Sequence, residues 1–185
     1  CLIIIILPMV FVPARAANNV LIVTLDGLRW QELFHGIDKS LLETEANIEV
    51  REAMLARYDA NSSEEKRKKL MPFMWTEIAN KGVLIGDRLN GSSMSLTNHH
   101  WFSYPGYNEI LTGKADNRIT SNAREHNQNK TILEYLHNQS NHVAAFGSWD
   151  VFPYILNTQR NDFLVNSGFT SANWANVSEQ AQWLS

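Results

Sequence analysis

The chain has 185 residues, is 44% apolar and carries a formal net charge of −3, which suits one α/β domain or a large part of one with a substantial core. Its one basic cluster, Lys66 to Lys69, lies beside glutamates, so no nucleic-acid footprint is present. The single cysteine, Cys1, excludes an internal disulfide framework, a zinc finger and a cysteine nucleophile in the folded part; any metal must be held by Asp, Glu, His or hydroxyl groups.

Residues 1 to 12 are apolar throughout, and Pro13-Ala14-Arg15-Ala16-Ala17 supplies the small residues of a signal-peptidase site. Residues 1–17 therefore read as a signal peptide, and the chain as secreted or periplasmic. The apolar run is shorter than the roughly 20 residues of a spanning helix, so no stable membrane span is expected. The chain opens on Cys without a charged n-region, and a helix-like pattern starting at Val177 lacks a C-cap signal, so it reads as a fragment at both ends.

Val20 to Leu25 is a continuous apolar, β-rich run that stops at Asp26-Gly27, the pattern of a central parallel strand buried on both faces. From about Ile37 to Leu70 the chain turns charged and helix-prone, with Ile48, Met54, Leu55 and Tyr58 spaced for one face and a polar break at Asn61-Ser62-Ser63; this predicts a helical insertion. Pro72 opens another helical stretch ending at Gly82, and Val83-Leu84-Ile85 is a short strand candidate. A loop over 90–98 precedes a helix from Pro105 to Thr112, closed by Gly113 and headed by Ser103. A helix over Thr131 to Gln139 leads to an apolar strand, His142 to Phe146, which stops at Gly147-Ser148-Trp149-Asp150. Strands alternating with helices predict an α/β fold with a parallel sheet.

A carboxylate just after a buried strand occupies the edge where parallel sheets bind ligands, which marks Asp26. Its ordinary explanation is a turn residue or the cap of the next helix. Ser103, at a helix N-terminus, faces unpaired N–H groups and the positive end of the dipole, where a phosphate oxygen can be held. Its ordinary explanation is a plain N-cap. A serine hydroxyl also needs a base or a metal to ionise it, and Gly-x-Ser-x-Gly is absent. His99-His100 reads as a surface loop pair, and Asp150 as a turn carboxylate that also stands at a strand end.

Taken together, Asn19 to Trp30 and Phe102 to Gly113 resemble two motifs of the alkaline phosphatase superfamily, in order and separation, with a weaker likeness over Asn129 to Asn157. The likeness is greatest to alkaline-phosphatase-like and type I phosphodiesterase proteins. It implies a three-layer α/β/α sandwich with a mostly parallel sheet, of which 18–185 forms the N-terminal part of the catalytic domain, with the helical insertion at about 37–70. By the same likeness Asp26 is a metal ligand, Ser103 is the nucleophile and itself a metal ligand, and backbone N–H groups at Tyr104 and Gly106 hold substrate oxygens. The implied cofactors are two divalent metal ions, zinc by preference, about 4 Å apart. The implied reaction is hydrolysis of a small phosphorylated substrate, monoester or diester, through a phosphoseryl intermediate. Remaining ligands in that superfamily follow later in the chain, so the fragment alone is expected to be inactive. Tyr107 stands where sulfatases carry arginine, which disfavours sulfatase chemistry, and Gly106-Tyr107 replaces the Asn-His of nucleotide pyrophosphatases. The alternatives are a catalytically inactive domain of the same fold, used for binding or structure, and a sulfatase or phosphonate hydrolase.

Overall fold

The computed structural model describes residues 19–44 and 47–169. The expected signal peptide at 1–17 and the helix-like run from Val177 lie outside them. The chain is of mixed α/β type with a small parallel sheet.

The N-terminal lobe is helical: α1 (Trp30–His35), α2 (Lys39–Leu42), α3 (Ile48–Tyr58) and α4 (Ser63–Leu70). The segment over 37–70 is therefore largely helical, and its polar break is a cap, with Ser62 accepting from the Glu65 amide at 3.2 Å. None of the four apolar positions spaced for one face of that insertion is buried. What holds α4 is its N-terminal neighbour α1. Gly36 closes α1 at φ 77°, and a Cβ there would lie 2.4 Å from Lys66, so the helices meet at a distance only glycine permits. Arg67 stacks over the Trp75 ring at 3.6 Å, and Trp75 Nε1 donates to the Leu33 carbonyl at 3.0 Å. Trp75 belongs to the stretch opened by Pro72, which runs through a π-helical segment (Met74–Ile78) into α5 (Ala79–Lys81) and stops before Gly82, as predicted. A 3-10 turn, Arg88–Asn90, follows.

The C-terminal half is built on α6 (Ser103–Thr112), α7 (Ile132–His137), β1 (Ala144–Gly147), α8 (Phe152–Ile155) and β2 (Leu164–Ser167). Gly113 ends α6 in the left-handed conformation, its N–H donating to the Glu109 carbonyl at 2.8 Å, and Thr131 caps α7 through its hydroxyl. β1 and β2 pair in parallel, with Ala144 opposite Leu164 and Gly147 opposite Ser167. The core joins Tyr104, Tyr107 and Leu111 of α6 to Val151, Ile155, Leu156 and Phe163. Beneath it lies a polar knot: Asn108, 0% exposed, accepts at Oδ1 from Asn127 and Asn129, each at 3.1 Å, and donates to the Lys114 carbonyl at 3.2 Å.

Two expected strands are not formed among the described residues. Val20 to Leu25 runs up to the turn at Asp26-Gly27 without joining a ladder, and Leu21 is 87% and Val23 71% exposed. Val83 to Ile85 is likewise unpaired, with Val83 81% exposed. An apolar β-rich run becomes a strand only where a neighbouring strand completes its hydrogen bonds and layers cover its faces, because β-propensity measures fit to such a surface. The sheet among the described residues, two strands wide, offers neither run a neighbour there. No helix of the described residues is long and apolar enough to cross a membrane.

Candidate active site

A cleft of about 360 Å³ is lined from two directions. Thr24, Leu25, Asp26 and Gly27 come from the end of the first apolar run; Leu96, His100, Trp101, Phe102, Ser103, Gly106, Tyr107 and Ile110 come from the loop and first turns of α6. Asp26 and Ser103, 77 residues apart by their numbering, thus open onto one space.

Each side chain there is free of its ordinary duty. The next helix after Asp26 starts at Trp30 with Arg29 as its cap, so Asp26 caps nothing; it sits in a turn made by Gly27 at φ 78°. Its carboxylate takes no hydrogen bond and no ion pair among the described residues. Ser103 is the first residue of α6 and not its cap, which is Phe102, and no side-chain hydrogen bond caps this helix. The Ser103 hydroxyl, half-buried, makes no hydrogen bond to another described residue. A helix N-terminus leaves N–H groups unpaired and favours negative charge, so an oxygen at Ser103 lies at the positive end of a ten-residue dipole.

The backbone donors expected beside it divide. The Tyr104 amide donates to Asn122 Oδ1 at 3.0 Å. Gly106 does line the cleft, where Leu96 approaches so closely that a Cβ would sit 3.1 Å from its Cδ1. The Tyr104 ring points into the core on the far side, its hydroxyl donating to the carbonyls of Glu125 at 2.7 Å and Tyr154 at 3.2 Å. Burial, with Glu125 adding to it, pushes that phenol up to about 12, so it stays neutral and anchors the helix.

His100, passed over in the sequence as half of a surface pair, belongs to the cleft wall, while His99 is exposed and outside it. Trp101 lines the same wall and is 98% exposed. Asp150 pairs instead with Arg124 and lines no part of this cleft. Arg29 is taken by Glu32 at 2.6 Å and Asp38 at 2.7 Å. Tyr107 packs edge-on against Phe152 with ring centroids 5.0 Å apart.

The loop that carries His100 and Trp101 is tied to α6 by Glu109. Its Oε1 accepts from the Thr97 amide at 2.6 Å and hydroxyl at 2.8 Å, and its Oε2 from the Asn98 amide at 3.0 Å and side chain at 2.8 Å. Burial raises the Glu109 carboxyl, but the Asn98 and Thr97 donors outweigh it and hold the group down at about 2.

For metal binding, the cleft offers a carboxylate, a hydroxyl and an imidazole, donors suited to a divalent ion. Among the described residues no group of three His, Cys, Asp or Glu side chains gathers closely enough to hold one. No family model, curated protein or solved structure matches the chain.

Proposed function

We propose that this chain carries the nucleophile and the first metal ligand of a phosphate-ester hydrolase of the alkaline phosphatase superfamily, exported from the cytoplasm and built on a three-layer α/β/α sandwich. The observation that carries this reading is the shared cleft: the two residues singled out by the motifs face one space, and neither hydroxyl nor carboxylate is spent on capping or pairing.

Ser103 is the attacking group. Its oxygen forms a bond to phosphorus, the ester P–O bond breaks and the alcohol leaves; water then cleaves the phosphoseryl group, restoring the hydroxyl and releasing phosphate. Two divalent ions, zinc by preference, with Asp26 and Ser103 among their ligands, would supply an ionised hydroxyl at neutral pH and charge neutralisation at the leaving oxygen. The chain's own residues orient the reaction. The α6 dipole favours the anionic serine oxygen, the Tyr104 anchor holds its backbone, and Leu96, Trp101, Phe102 and Ile110 give the cleft an apolar rim.

The test is made on the full-length protein. Chelation should abolish hydrolysis of an aryl phosphate and added zinc should restore it, with a phosphorylated peptide containing Ser103 recovered after acid quench. Turnover that survives chelation, or phosphate recovered on another residue, removes the proposal; stable folding with neither metal nor turnover would instead assign the chain a binding role.

A further inference from the structure

Neither Glu109 nor the two residues it grips line the cleft, but Leu96 and His100 on either side of them do. A carboxylate has about four lone-pair sites, and here all are filled by Thr97 and Asn98. The grip extends one step further, because Asn98 Oδ1 accepts the His100 amide at 3.1 Å. The loop over 97–102 is consequently fixed at both ends to the same helix, at Glu109 and at Ser103, and His100, Trp101 and Phe102 are the cleft-lining residues between them. Four donors converge on Glu109 and nothing nearby needs a proton from it. Only an ionised carboxylate meets that demand, since a glutamine would aim its own N–H groups at two of the donors.

From this geometry we infer that Glu109 is a positioning residue: it sets the loop over 97–102, and through it His100 and Trp101, at the height and angle over Ser103 that turnover requires. The inference rests on the reading of Ser103 as nucleophile. A tether that served folding alone would need only to keep the loop attached. This one also defines where its middle residues stand, because both its anchors and its relay to His100 are stereospecific hydrogen bonds.

The decisive variant is Glu109→Gln in the zinc-loaded full-length protein, compared with wild type below the melting temperature of both. Displacement of reacting groups by about 1 Å costs on the order of 100-fold, so kcat should fall about 10- to 100-fold, with KM altered much less. Amide exchange at Thr97, Asn98 and His100 should quicken, while that of Leu111 inside α6 stays slow. Asn98→Ala, which keeps the Asn98 backbone donor but breaks the relay to His100, should lie between wild type and Glu109→Gln and guards against a variant that fails to fold. An unchanged kcat in both variants, or faster loop exchange with full activity, overturns the positioning role. If Ser103→Ala still turns over, the nucleophile reading falls; if turnover needs Ser103 and ignores Glu109, only this inference falls.

Discussion

Replacing Ser103 by alanine separates a reacting hydroxyl from a structural one, because the same helix class offers a control. Thr131 is 1% exposed and caps α7, its Oγ1 accepting from the Glu134 amide at 3.2 Å. Removing such a cap costs about 1 kcal/mol, within a range of 0.5–2, which for a domain of this size lowers Tm by about 2–4 °C per kcal/mol. Ser103 makes no capping bond, so its hydroxyl contributes nothing of that kind; Ser103→Ala should stay within about 0.5 kcal/mol of wild type. Catalysis should respond in the opposite order. Loss of a nucleophile typically removes at least about 10³-fold in kcat, whereas Thr131→Ala should leave kcat nearly intact at a temperature where it remains folded. The assay pairs thermal unfolding of the full-length protein with steady-state hydrolysis of an aryl phosphate. A Tm drop for Ser103→Ala equal to that of Thr131→Ala would show that its hydroxyl is a cap after all, and kcat within tenfold of wild type would refute its role in bond making.

Other perturbations bear on other links. Asp26→Ala should lower bound zinc without lowering Tm in zinc-free buffer, and an unchanged metal stoichiometry by atomic absorption would remove Asp26 from the ligand set. Asn108→Ala should destabilise the domain by about 2–3 kcal/mol, since the Asn127 amide loses its acceptor in a buried site; a loss under about 0.5 kcal/mol in denaturant unfolding would mean that the polar knot contributes little. Glu109 is lowered from 4.5 to about 2 on folding, so between those values the unfolded chain binds the extra proton. Its stabilising contribution is therefore complete above pH 4.5 and disappears as pH falls through about 2. Glu109→Gln should flatten the stability profile across that window, and a parallel profile for the variant would show that the clasp does not titrate there.

Local chemistry made much of the second half readable. Gly113 and the run from Pro105 announce α6, and Thr131 with Glu134 three residues on announces α7, because caps act within a turn of the residues that betray them. Strands are different. The run His142 to Phe146 does become β1, offset by one or two residues, but its partner Leu164–Ser167 contains Asn166 and Ser167 and carries no alternation to betray it. Val20 to Leu25 has the stronger strand signal and joins no ladder, since pairing depends on what lies beside it. The site shows the same division. Asp26 and Ser103 were visible through motif and position, while His100 reaches the cleft through a clasp between Glu109 and residues 11 and 12 positions earlier, which no spacing rule encodes.

The uneven support beneath the two sides of the cleft bears on how tightly it can bind. Ser103 heads a helix whose next residue is pinned in the core by two carbonyls, so its place is settled before any ligand arrives. Asp26 ends an extended, solvent-facing run that makes no ladder, and if it holds an ion as proposed, restricting that backbone would consume part of the free energy of coordination. Affinity for the ion should therefore rise whenever something covers Val20 to Leu25, with no change to any ligand atom. On the proposed metal role of Asp26, packing applied to the first apolar run would tune metal loading from outside the cleft.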